Sequence, residues 1–224
     1  MLYRYLVVSG AGFSRDMFAW GKEKNVPIVP IVSSARLAAM AEKLGASAVV
    51  VEGKEAGGHL GTDRPMMDIL REVVAAVKIP VIGAGGVIDG NDIREVLSLG
   101  ASGVQMGTRF AASEESNASD DFKGLYVKAQ KDDVVLINSP VGLKGRGLKN
   151  YFYQLIDGEK VVEIKECNGC LKRCSQKFCI MDALNNACKN GDFNKALVFA
   201  GEQVEKIKEI LPVKKIFENL LTTA

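Results

Sequence analysis

A single histidine, His59, lies in the run Glu52-Gly53-Lys54-Glu55-Ala56-Gly57-Gly58-His59-Leu60-Gly61, directly after the apolar segment Ala48 to Val51. Imidazole moves protons near neutral pH, and a strand that ends in small residues before such a side chain is how parallel α/β enzymes present a catalytic group. Taken alone, Gly-Gly-His reads equally well as a turn carrying a surface histidine. Two glycine-rich segments further on add chemistry. Ile79-Pro80-Val81-Ile82-Gly83-Ala84-Gly85-Gly86-Val87 is an apolar strand running into glycines and an Asp89-Gly90-Asn91-Asp92 helix start, and Gly103-Val104-Gln105-Met106-Gly107-Thr108-Arg109-Phe110 is a strand ending in a small, hydroxyl-bearing turn. Backbone amides in such turns form a concave donor surface that suits a phosphate, because no Cβ blocks its approach and a following helix favours an anion.

A second concentration of reactive residues lies near the other end. Cys167, Cys170, Cys174 and Cys179, spaced C-x2-C-x3-C-x4-C, hold four of the five cysteines, and Cys188 follows nine residues on. Thiolates at these separations can hold Zn²⁺ or an iron–sulfur cluster, although the spacing matches neither a zinc ribbon nor a bacterial ferredoxin run. The alternatives are reduced thiols buried in a helical cap, or a redox-sensitive pair.

The elements that must position these residues can be read from periodicity. Strand-like runs recur at Leu6 to Val8, Pro27 to Val32, Ser47 to Val51, Ile79 to Ile82 and Gly103 to Met106. Between them, Arg15 to Lys24, Leu37 to Leu44, Ile69 to Val77 and Ile93 to Leu97 carry apolar residues three and four apart. This alternation predicts repeated βα units around a parallel sheet buried on both faces. Thr62 or Asp63 before Pro65 predicts a helix start, and Gly45 and Gly100 predict helix stops. Beyond Phe110 the rhythm ends. Ser113 is read as a helix cap, Phe122 to Lys131 as a helix, and the basic, glycine-rich Pro140 to Asn150 as a solvated loop. Apolar spacing from Leu184 through Ala196, Leu197, Phe199, Ala200, Val204, Ile207 and Leu211 predicts a small helical unit.

The Glu-Ala-Gly-Gly-His, Ala-Gly-Gly and Gln-Met-Gly-Thr-Arg-Phe motifs, in that order over Val7 to Asn150, resemble the nitronate monooxygenase family, formerly 2-nitropropane dioxygenases, which includes the flavin-dependent enoyl-acyl-carrier-protein reductase II. The resemblance implies an FMN enzyme on a TIM-type (β/α)8 barrel, with His59 catalytic and with Glu52, Gly57, Gly58, Ala84, Gly85, Gly86, Gln105, Met106, Gly107 and Thr108 around the FMN. The five visible strands match the family's fourth to eighth, so the chain is expected to be a fragment. The implied domains are a partial FMN-binding barrel over 1–150 and a helical, cysteine-containing extension over 151–224. Gly10-Ala11-Gly12 and Gly83-Ala84-Gly85 lack the third glycine of a dinucleotide fingerprint, so any NAD(P)H would visit the flavin from the barrel mouth.

Composition narrows the partners. The chain has 224 residues, 47% hydrophobic, with 29 Lys and Arg against 27 Asp and Glu, interspersed throughout. That balance offers no footprint for nucleic acid. No apolar run approaches the roughly 18 residues of a membrane span, and the first ten residues lack the pattern of a signal peptide. A cytoplasmic enzyme acting on a small molecule, as a monomer or a homo-oligomer, is the expectation. The reaction implied by the resemblance is oxidation of alkyl nitronates with O₂. Its rivals are NAD(P)H-dependent enoyl-acyl-carrier-protein reduction and a non-catalytic binding or redox-sensing module.

Overall fold

Residues 6–8, 13–158, 162–164, 167, 169–170, 174–190 and 195–223 are described in the computed structural model. Strands β1 (Leu6–Val8), β2 (Ile28–Val32), β3 (Val49–Glu52), β5 (Val81–Ala84) and β6 (Gly103–Gln105) form one parallel sheet in the order β1-β2-β3-β5-β6, and the short strand β4 (Gly58–His59) belongs to another. Each strand pairs with the next in sequence, Val50 opposite Ile82 and Gly83 opposite Val104. The order never reverses, as it would at the switch point of a doubly wound sheet, and it is the order that consecutive βα units of a TIM-type barrel have.

The helices that cross between them are α1 (Arg15–Lys24), α2 (Ala35–Lys43), α3 (Met66–Ala76) and α4 (Gly90–Ser98). Ser14 and Ser34 cap α1 and α2 by accepting from Met17 N and Leu37 N, each contact worth about 1 kcal/mol. Gly45 and Gly100 follow α2 and α4 as anticipated. Helix α3 departs from expectation at its start. Pro65 precedes it without a side-chain cap, and Met66 N donates instead to Glu55 Oε2 at 3.0 Å. Thr62 Oγ1 accepts from Arg64 N, so neither Thr62 nor Asp63 caps the helix.

Alternation along the strands divides the buried residues between two faces. Ile28, Val32, Val49, Val51 and Val81 pack with Ile69, Leu70, Val73 and Val96 of α3 and α4. Val29, Val50 and Ala84 form the opposite cluster with Ile31 and Ile82. Burial on both faces explains the continuous apolar runs of these strands, and each fully buried Ile, Leu or Val contributes about 1.5–3 kcal/mol.

Backbone packing divides the chain into two compact units, 1–55 with 61–106 and 220–224, and 56–60 with 107–219. The division after β6 falls at 106/107. In the second unit, β7 (Val134–Asn138) and β8 (Lys144–Leu148) form an antiparallel sheet with β4 in the order β4-β8-β7. Lys144–Leu148, within the Pro140 to Asn150 segment, is therefore a central strand and not a solvated loop. Its glycines stand where side chains would collide: a Cβ on Gly147 would meet Val198 O, and one on Gly145 would lie 3.0 Å from Phe199 Cε1.

The remaining α-helices are α5 (Thr108–Ala111), α6 (Asp120–Lys128), α7 (Tyr151–Asp157), α8 (Ile180–Asn185) and α9 (Val213–Thr223). Ser113 does not cap a helix. It bridges Leu211, its hydroxyl donates to Phe110 O at 2.8 Å, and Ser119 is the residue that caps α6. The run from Ala196 to Ala200 is not helical either. Ala196, Leu197, Val198 and Ala200 are all buried, with Leu148 N donating to Val198 O and Ala200 N to Arg146 O. Such a run, enclosed on every side, satisfies its backbone by pairing laterally with a neighbouring strand.

Candidate active site

In the second unit, His59 ends a two-residue strand held against β8, Gly58 opposite Arg146 and His59 opposite Gly145, and Leu60 N donates to Lys144 O at 2.8 Å. A Cβ on Gly57 would lie 2.6 Å from Ala200 C and 2.7 Å from Gly201 N. Gly57 therefore lets the strand approach the 200–201 backbone. The imidazole is half-buried. Its Nε2 stands 2.7 Å from Ser139 Oγ, and its ring meets Phe199 edge to face at 5.3 Å between centroids. Burial holds its pKa below the ordinary histidine value, which favours the neutral ring. Val141 N donates to Ser139 Oγ at 3.4 Å, and the hydroxyl keeps both an O–H and a second lone pair, so it serves His59 Nε2 as donor or as acceptor according to the ring's tautomer.

Phe199 is fixed in turn by Tyr126, whose hydroxyl donates to Phe199 O at 2.7 Å and whose ionisation is strongly suppressed by burial. Ser139, Phe199 and Tyr126 were not singled out from sequence. The only local signal was proximity to the Pro140 segment, since contact with His59 requires the β4–β8 pairing.

The Gly107-Thr108 turn belongs to the same unit. Thr108 Oγ1 accepts from Gly201 N at 2.9 Å, which leaves its O–H to donate elsewhere. Gly107 has φ −101°, a conformation open to any residue, and a Cβ built on it would meet nothing within 4 Å. Neither backbone conformation nor protein packing requires glycine there, whereas close approach of a ligand would. Arg109 of the same motif is structural: its guanidinium is buried and donates to Ala112 O and Glu209 O.

In the first unit, Ala84 is buried at the end of β5, and the turn after it has Gly85 at φ +98° and Gly86 at φ +73°. Only glycine takes both conformations without strain. The helix that follows is closed by its own acids, because Asp89 Oδ1 accepts from Asn91 N and Asp92 N while Asp92 Oδ2 accepts from Ile88 N and Asp89 N. The start of α4 thus offers carboxylates, and any anion in this unit falls to the glycine turn before it. Gln105 is exposed and Met106 half-buried at the end of β6. Glu52, at the end of β3, is pushed up by burial to a pKa of about 7. Glu55, three residues on, accepts from Met66 N and so caps α3.

The four clustered cysteines are free, as is Cys188. Among the described residues no three His, Cys, Asp or Glu side chains converge on a position that would hold a metal ion. Cys167, Cys170, Cys174 and Cys179 nonetheless line one cavity of about 230 Å³.

Sequential parallel βα units, with glycine turns at the C-terminal ends of β5 and β6, define an α/β protein of the (β/α)-barrel class. The sequence model of the nitronate monooxygenase family matches residues 5–223, and the chain belongs to that family. A probable nitronate monooxygenase of Staphylococcus aureus is 37% identical over 142 residues, which covers 59% of this chain and 40% of that protein. The chain therefore spans less than half the length of that curated relative. FabK from Thermotoga maritima superposes with a TM-score of 0.86 at 33% identity, over 98% of this chain and 67% of that one. A nitroalkane oxidase from Streptomyces ansochromogenes gives 0.77 at 25% identity, over 98% and 63%. Among the described residues no helix is long and apolar enough to cross a membrane.

Proposed function

We propose that the protein acts as an FMN-dependent oxidoreductase on alkyl nitronates, with O₂ as the terminal acceptor. The observation that carries the reading is the half-buried His59 imidazole, held at Nε2 by Ser139 and set edge to face against Phe199, with its pKa lowered by burial. A nitroalkane has an acidic α-carbon, and its conjugate nitronate is an anion with two oxygens that accept hydrogen bonds. We assign the ring proton to Nδ1, from which His59 donates to such an oxygen and holds the anion in one orientation. Phe199 keeps the ring from turning and covers one of its edges. Because the imidazole is neutral, it holds the anion by a directed hydrogen bond.

The FMN assignment has its own support in the turn glycines. Gly107 leaves open the space that a Cβ would fill, and Thr108 has a hydroxyl already oriented by Gly201 N. With Gly85, Gly86 and Gln105, these are the residues assigned to the phosphate and ribityl chain, and Glu52, Gly57, Gly58, Ala84 and Met106 complete the proposed set. The flavin, when bound, supplies the one-electron oxidation of the nitronate and the passage of electrons to O₂.

The 33% identity to FabK supports a second reading, enoyl-acyl-carrier-protein reduction with NAD(P)H. O₂ uptake with an alkyl nitronate against NADH consumption with a crotonyl thioester separates the two, using a chain extended to the full length of its relatives and loaded with FMN. Nitronate-dependent O₂ uptake without NADH is the expected result. Thioester-dependent NADH consumption alone would replace the first reading by the second.

A further inference from the structure

We propose that Cys167, Cys170, Cys174 and Cys179 bind an iron–sulfur cluster, one cysteine to each of four irons, independently of the flavin reading. Spacings of two, three and four residues bring four sulfur ligands from one short stretch, and no histidine or carboxylate lies among the lining residues to compete. The four thiols are free and line a single cavity of about 230 Å³ together with Gly169 and Gln176.

The size of the cavity favours a cluster over one ion. Four thiolates close around a single zinc at about 2.3 Å from the metal, whereas a cavity of about 230 Å³ bordered by four cysteines has room for a larger inorganic group in which each thiolate sits on its own iron.

A further feature suits a cluster. Gln176 N donates to Cys174 Sγ at 3.4 Å, the kind of amide–sulfur hydrogen bond that steadies a ligating thiolate and tunes a cluster's potential. Ligation is an exchange without oxidation or reduction: each Cys S–H loses its proton to solvent, and the thiolate replaces a terminal ligand on a preassembled cluster.

The test is anaerobic purification of the full chain, followed by reconstitution with iron and sulfide. The expected result is about four iron and four acid-labile sulfide per chain, with a broad visible charge-transfer absorption that bleaches on dithionite. Cys170→Ser and Cys174→Ser should each lose most of the iron and sulfide, and Cys188→Ser should keep both. Alkylation before and after chelation keeps the test independent of whether the serine variants fold. The loaded wild-type chain should expose only Cys188 and the stripped chain all five cysteines. One zinc per chain, a chain free of iron after reconstitution, or iron retained in both serine variants would each overturn the proposal.

Discussion

His59 Nε2 stands 2.7 Å from Ser139 Oγ, eighty residues further along the chain, and the two meet because β4 pairs with β8. With the ring proton assigned to Nδ1, the serine hydroxyl donates to Nε2, and substitution of each partner has a distinct kinetic signature.

His59→Ala, in a chain extended to full length, should lower kcat by about 10² to 10⁴, the scale on which a positioned acid–base group contributes. Bound FMN should stay near normal, since the proposed phosphate contacts lie elsewhere. The check is kcat beside flavin absorbance per chain. Turnover near that of the unsubstituted protein would remove His59 from the reaction.

Ser139→Ala should act more gently and on the pH profile. A hydroxyl donating to Nε2 stabilises the neutral ring, and its loss lets the ring accept a proton at higher pH. The acid limb of kcat/KM, set by the depressed His59 pKa, should therefore move up by less than about one pH unit, with kcat reduced about tenfold or less. A limb that moved down would assign the proton to Nε2 and make Ser139 the acceptor.

His59 was legible in the sequence because it is the single imidazole behind an apolar run and two glycines. Its partners were not, since nothing local to Ser139 or Phe199 marks them as neighbours of residue 59. The five parallel strands were legible because burial on both faces leaves unbroken apolar runs. Lys144–Leu148 was missed because glycines occupy the positions where an alternating strand would place apolar side chains, and it is packing against Val198 and Phe199 that demands those glycines. The segment from Ala196 to Ala200 misled in the opposite direction. Its apolar residues fit a helix in number, but nearly all are buried, which a one-faced helix cannot achieve.

Glu52 supplies a prediction on stability. Its folded pKa of about 7 lies above the ordinary value of 4.5 because burial disfavours the charged form. The native state therefore prefers the protonated acid, so the contribution is whole below about pH 4.5 and is lost as pH rises to about 7. At pH 8 the buried charge costs up to about 3 kcal/mol. Glu52→Gln removes the titration while keeping the shape. Urea denaturation of the flavin-free protein should show wild type and variant close together at pH 4.5, with the variant ahead by up to that amount at pH 8. A gap that did not widen with pH would mean that Glu52 is better solvated than its burial implies.

Gly107→Val and Gly85→Val both test the proposed FMN contacts, but only one does so cleanly. Gly85 adopts φ +98°, so a β-branched residue there strains the turn whatever is bound, and loss of flavin would be confounded with loss of fold. Gly107 adopts φ −101°, and a Cβ there meets no protein atom within 4 Å. Gly107→Val should therefore keep its circular dichroism and thermal midpoint in the flavin-free state. Its added methyl groups would occupy the space proposed for the phosphate, so FMN affinity should fall at least about tenfold, an order set by one lost charge-assisted hydrogen bond. Fluorescence titration with FMN reads the difference directly. A folded Gly107→Val protein that binds FMN as tightly as the parent would place the phosphate away from this turn, because the space beside Gly107 would then have no ligand to admit.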